Sequence, residues 1–135
     1  MIKTLMVRTN ARSDMIDITG IIRSVIGESK IKSGVCYVFV PHTTAAVTIN
    51  ENADPDVPRD MLMALDKTIP WQDDYRHREG NAAAHVKSSL VGASEVILIE
   101  KGDPVLGTWQ SIFFCEFDGP RTRKVLVKVT SSEQG

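Results

Sequence analysis

The alternation of apolar and polar residues along this chain marks out most of its regular elements. Ile2 to Arg8 reads as a strand, and Val35 to Val40 is apolar at every position, as in a strand central to a sheet or sandwiched between layers. Ile18, Ile22, Val25 and Ile26 recur at helical spacing, so Asp17-Ile18-Thr19 is predicted to open a helix, with Thr19 as its N-cap and Gly27 as its stop. A period of two returns after Pro41: Ala45, Val47 and Ile49 share one face, and Ala46, Thr48 and Asn50 share the other. Asp54 to Ile69 reads as a second helix. Asp54 or Asp56 caps it, Pro58 suits its first turn, Val57, Met61 and Leu65 form its stripe, and Pro70 ends it. A third helix follows Asn81 as cap, with Ala82, Val86 and Leu90 on its buried face and Gly92 past its end. Glu95 to Glu100, Thr108 to Phe117 and Lys124 to Thr130 read as strands, the last with Val125, Val127 and Val129 facing inward.

About six strands and three helices, without regular βαβ alternation, predict an α+β fold: a mostly antiparallel β-sheet or sandwich core with flanking helices. At 135 residues the chain is expected to form a single domain over 1–135, large enough for a core without disulfide support. A hydrophobic fraction of 42% fits that reading. The apolar runs are strand-sized, far short of the roughly 20 residues that span a bilayer, so no membrane partner is expected. The first residues lack a basic region followed by a long apolar stretch, the pattern of a signal peptide. Sixteen basic against seventeen acidic side chains give a net charge of -1, which argues against nucleic acid as a partner. Cys36 and Cys115 both fall in strand-like segments and read as reduced core thiols of a cytoplasmic protein. Only the tail from Ser131 onward looks frayed.

The three histidines all lie in polar segments between or at the ends of elements. His42 sits where one strand gives way to the next, His77 in Tyr75-Arg76-His77-Arg78-Glu79-Gly80, and His85 in the first turns of the third helix. One straight helix would separate His77 from His85 by about 12 Å of rise, so a shared site needs the chain break that Gly80-Asn81 supplies. Three imidazoles suffice for a catalytic divalent ion, with zinc favoured over the oxygen-seeking magnesium. His42, His77 and His85 are therefore candidate metal ligands.

Groups suited to a polar ligand surround them in the sequence. Thr43, Thr44, Asn50, Lys87 and Ser89 are candidate binding residues, and Glu51 and His85 candidate catalytic ones. Glu51 shares the inward parity of Ala45, Val47 and Ile49, a position for a strand end or for function. Glu116 and Asp118 interrupt an apolar strand ahead of Gly119-Pro120-Arg121-Thr122-Arg123, which reads as a hairpin with a charged tip. Its sharper reading has Arg121 or Arg123 hold a phosphate, across a subunit boundary if need be. Trp109 suits a core or a subunit interface better than a ligand stack.

Five ordered motifs resemble the YjbQ family, also labelled the secondary thiamine-phosphate synthase family. They are Pro41-His42-Thr43-Thr44-Ala45, Thr48 to Pro55, His85-Val86-Lys87-Ser88-Ser89-Leu90, Gly107-Thr108-Trp109-Gln110 and Asp118-Gly119-Pro120-Arg121. The resemblance implies a compact β-rich fold with flanking helices, assembled as a homotrimer. It also implies a metal- or anion-occupied pocket near a subunit interface, lined by the residues matching His42, His77 and His85. The activity it implies is a weak thiamine-phosphate synthase, joining a hydroxymethylpyrimidine diphosphate to a thiazole phosphate with release of pyrophosphate.

Residue chemistry does not demand that reaction. Pyrophosphate release ordinarily calls for oxygen-ligated magnesium and several cations, and the chain shows no Walker loop and no clear paired-Asp motif. Lys87, Arg121 and Arg123 would have to be gathered by assembly. The alternatives are a metal-dependent hydrolase of a phosphorylated metabolite, with Glu51 or Glu116 as base, and a non-catalytic trimer that captures a metabolite or metal.

Overall fold

The structure, a computed structural model, describes residues 1–132. Among these the strands are β1 (Ile2–Arg8), β2 (Asp14–Asp17), β3 (Gly34–Phe39), β4 (Ala45–Glu51), β5 (Ser94–Glu100), β6 (Asp103–Pro104), β7 (Gln110–Glu116) and β8 (Thr122–Ser131). The helices are α1 (Thr19–Ser29), α2 (Asp56–Thr68) and α3 (Ala82–Val91). The strands form a five-stranded sheet in the order β1-β8-β3-β5-β6 and a three-stranded sheet in the order β2-β7-β4. Every pairing is antiparallel, so the α+β reading with three helices stands. The count of about six strands falls short because β2 and β6 are too brief to carry a period. Each exists by pairing, β2 along the edge of β7 and β6 on β5.

Two layers of apolar packing follow from strand parity. Cys36, Val38, Ile97, Val125 and Val127 of the larger sheet meet Ala45, Val47, Ile112 and Phe114 of the smaller one, and Ile22, Val25 and Ile26 of α1 join them. Burying each of those α1 side chains contributes about 1.5–3 kcal/mol. The opposite face of the smaller sheet, with Ala46, Phe113 and Cys115, packs against Ala84 of α3 and Leu62 and Leu65 of α2. Cys36 and Cys115 are free and buried, and burial pushes their thiols up to about 11 and about 12. No helix among the described residues is long and apolar enough to cross a membrane.

The helix ends differ from expectation in informative ways. Thr19 is the first residue of α1 rather than its cap. The Asp17 carboxylate accepts the Thr19 N–H at 2.9 Å, while the Thr19 hydroxyl accepts the N–H of Ile112 at 2.8 Å and ties α1 to β7. The helix runs past Gly27 and stops at Lys30, which adopts a left-handed φ of 59°. In α3 the predicted face is wrong. Ala83, Ala84, Lys87 and Ser88 are buried, whereas Val86 and Leu90 are exposed. Small residues let α3 lie close to β4, and the Ser88 hydroxyl donates to the Ala45 carbonyl at 2.6 Å.

Candidate functional site

One end of the fold collects the segments that leave β3, enter α3 and join β7 to β8. The link from β3 to β4 is fixed by backbone: Val40 N–H donates to Ala93 at 2.7 Å, and Phe117 N–H donates to Thr44 at 3.1 Å. These bonds place His42, Thr43 and Thr44 beside the start of α3 and the turn at 117–121. A pocket of about 670 Å³ opens there, and His42, His77, His85, Asn81, Asp118 and Arg121 are among its walls. Its size suits a small metabolite.

All three histidines reach this pocket, as Gly80 (φ 80°) breaks the chain between His77 and α3. The rings of His77 and His85 meet edge-on with centroids 5.3 Å apart. His42 is held differently. Its Nε2 accepts the N–H of Lys124 at 2.9 Å, so the neutral ring carries its proton on Nδ1 and is a donor there. Burial, and then the positive charge of Arg123, hold this imidazole below the ordinary histidine range, against a smaller pull from Glu116. The three rings thus do not act as equivalents. Among the described residues no group of three or more His, Cys, Asp or Glu side chains is arranged to hold a metal ion, and His77 with His85 is the part of the expected set that the fold brings into contact.

Behind the pocket lies a saturated ion pair. Arg123 Nε donates to Glu116 Oε1 at 2.9 Å, a second nitrogen contacts Oε2, and the same nitrogen donates to the Thr44 hydroxyl at 2.8 Å. Glu116 also accepts the Thr9 hydroxyl at 2.8 Å and the Asp118 N–H at 3.0 Å. Its burial opposes ionisation, but these donors outweigh it and hold the carboxyl below the usual carboxylate range. With every lone pair engaged, Glu116 is no general base, and that expectation is corrected. Arg123 lines the pocket, but its charge is already matched by Glu116. Arg121 is the more available cation: its half-exposed guanidinium donates through Nε to the Asp118 carbonyl at 3.0 Å and through Nη2 to the Asp118 carboxylate at 3.3 Å, and its backbone is tied to Thr9.

Other expected site residues lie elsewhere. Glu51 and Asn50 line a separate small cleft with Trp109 and Gln110, at the far end of the β4–β7 ladder, so within one chain Glu51 does not meet His85. Trp109 is 63% exposed rather than in the core. Lys87 is buried at 1% exposure, and its ammonium pairs with Asp66 of α2 at 2.9 Å; it ties two helices and does not face the pocket. Thr43 and Thr44 line the pocket, whereas Ser89 lines an adjoining one that shares His42 and His85. Sequence reasoning missed Asn81, Asp118 and Thr9 as builders of the site. Asn81 meets Asp118, and Thr9 meets Glu116, only through the fold, and no spacing rule joins residues so far apart.

Fold and pocket together define a small antiparallel α+β protein with one polar end lined by histidines. The chain belongs to the YjbQ family (UPF0047 protein YjbQ-like), which it matches over residues 3–132. It is 54% identical over 130 residues to UPF0047 protein YugU of Bacillus subtilis, covering 96% of this chain and 98% of that protein. A solved structure of an uncharacterized yjbq/upf0047 family protein from Clostridium acetobutylicum superposes with a TM-score of 0.93 at 52% identity, covering 95% of this chain and 99% of that one. A YbjQ-like protein of unknown function from Sulfolobus solfataricus gives a TM-score of 0.93 at 32% identity, over 98% and 97% of the two chains.

Proposed function

We propose that the pocket binds a small phosphorylated metabolite and catalyses group transfer on it, with a thiamine-phosphate synthase-type condensation as the first reaction to test. The observation that carries this reading is the convergence of Arg121, Thr43 and all three imidazoles on one pocket. The ion pair of Arg121 with the Asp118 carboxylate is long, 3.3 Å, and worth about 1 kcal/mol or less, so an anion can recruit the guanidinium's remaining donors. His42 adds a donor through Nδ1, and the adjacent rings of His77 and His85 supply acid or base. In the condensation, the thiazole nitrogen forms a C–N bond to the pyrimidine methylene carbon while the carbon–oxygen bond to diphosphate breaks. The leaving pyrophosphate takes the electron pair, and Arg121 and the imidazoles face the charge that builds on it.

A zinc ion would be held by His77 and His85 and would supply Lewis acidity in place of their acid–base role. Elemental analysis of wild type against His77→Ala and His85→Ala tests this, since unchanged zinc content in both would sink it. The hydrolase reading uses the same residues with water as acceptor. Free, buried thiols support a cytoplasmic setting. For the homotrimer, the outer face of the five-stranded sheet is the favoured contact: Tyr37, Phe39, Val96 and Leu98 are 45–59% exposed, and Phe39 also borders the pocket. A Leu98→Glu variant should then shift light-scattering mass from trimer to monomer.

The deciding experiment supplies hydroxymethylpyrimidine diphosphate and thiazole phosphate and follows thiamine phosphate and pyrophosphate, alongside a panel of phosphate esters. Condensation supports the first reading and phosphate release the hydrolase. Tight pyrophosphate binding with neither activity leaves a binding module and rejects catalysis.

A further inference from the structure

Among the buried side-chain polar atoms of the described residues, one lacks a hydrogen-bond partner: Oδ1 of Asn81, a residue of the pocket wall. The amide cannot be turned to relieve it. Nδ2 donates to Asp118 Oδ2 at 2.9 Å, and a carboxylate oxygen accepts only, so the oxygen of the amide is necessarily the end left over. Leaving a buried acceptor unpaired is costly in any fold, and on a residue of a pocket wall a donor supplied from outside the chain would satisfy it. Asp118 Oδ2 also accepts from Arg121 Nη2 at 3.3 Å, so the Asn81 amide and the Arg121 guanidinium flank a single oxygen. An anion at Arg121 and a donor at Asn81 are therefore within the span of one small molecule.

We infer that the ligand carries, beside the anionic group held at Arg121, an O–H or N–H donor that Asn81 Oδ1 accepts. The substrate class is then a hydroxyl- or amino-bearing phosphate or diphosphate ester, not inorganic phosphate or a simple alkyl phosphate. This rests on the phosphate reading above and narrows it. Sites built to accept a hydrogen bond reject the isostere that lacks the donor, because the acceptor is then left desolvated and empty. Asn81 is here a specificity-determining residue, set by Asp118, and takes no part in bond making.

Calorimetric titration of matched probes tests it: 2-hydroxyethyl phosphate against propyl phosphate, and 3-hydroxypropyl phosphate against butyl phosphate, each pair equal in heavy atoms. In wild type the hydroxylated member of at least one pair should bind about tenfold more tightly. In Asn81→Leu, verified as folded by circular dichroism, that preference should fall to near unity while the alkyl phosphate keeps its affinity. Equal binding within both pairs in wild type overturns the inference and leaves the phosphate reading standing. Binding of none of the four overturns both. The wild-type comparison decides the matter even if the variant is unstable.

Discussion

Glu116 on β7 and Arg123 on β8 are locked together in the interior, with side-chain exposures of 0% and 3% and two contacts between carboxylate and guanidinium. The pair also binds Thr44 and Thr9, so it joins both sheets just behind the pocket. Removing either partner strands a buried charge. Arg123→Met and Glu116→Leu should each lower the free energy of unfolding by about 3–5 kcal/mol, and the double variant should lose less than their sum. Urea denaturation of the two singles and the double measures this coupling, and additive losses would refute it.

Arg121 and Lys87 are both candidate phosphate ligands by sequence, and the fold separates them. Arg121→Ala should weaken pyrophosphate binding by about 10- to 100-fold, the loss of one charge-assisted contact, with little change in stability. Lys87 should behave in the opposite way. Its buried stem packs between helices while Asp66 remains mostly exposed, so Lys87→Ala should cost about 2 kcal/mol of stability and Lys87→Met less than about 1 kcal/mol. Both variants should keep pyrophosphate affinity. Calorimetry and urea denaturation on the three proteins check the split.

What the chain revealed about itself follows the reach of each signal. Period-two and period-3.6 patterns located β4, β8, α1 and α2, since those elements turn one apolar face to a partner wherever that partner lies in sequence, and an unbroken apolar run located β3. The buried face of α3 was misread because packing there is decided by closeness: Ala83, Ala84 and Ser88 fit against β4, and the larger Val86 and Leu90 are turned out. The histidines were legible as a group, since Gly80 marks the chain break they require. The second layer was not. That His42 Nε2 is taken by Lys124, or that Glu116 is saturated by Thr9 and Arg123, depends on the register of β8 against β1 and β3.

Gly119 precedes the turn that carries Arg121, and it is needed for close approach. A Cβ at this position would lie 2.4 Å from the Ala11 carbonyl oxygen and 2.8 Å from both Thr9 Oγ1 and Glu116 Cγ. Neither the backbone of Ala11 nor the bonded Thr9–Glu116 pair can yield cheaply. Gly119→Ala should cost about 2 kcal/mol or more, and it should also weaken pyrophosphate binding by moving Arg121. A variant with wild-type melting and wild-type affinity would contradict this account of the turn.

His42 gives the fold a pH dependence whose sign is fixed by its surroundings. Burial and the Arg123 charge favour the neutral ring, and the Lys124 N–H aimed at Nε2 requires that nitrogen to be unprotonated. In the unfolded chain the same imidazole titrates near about 6.5. The unfolded state therefore takes up a proton at higher pH than the folded state, and stability rises with pH across that interval. The contribution of His42 is complete above about pH 6.5 and is lost as the pH falls from there through the lower folded value. Glu116, also held below its ordinary range, loses its contribution only in the more acidic carboxylate region, so the two windows are separate. Urea denaturation of wild type and His42→Gln at steps from pH 8 to pH 5 should show the wild type losing more stability than the variant. His77 and His85 are common to both proteins and cancel. Parallel stability profiles would show that His42 is not held neutral by the fold.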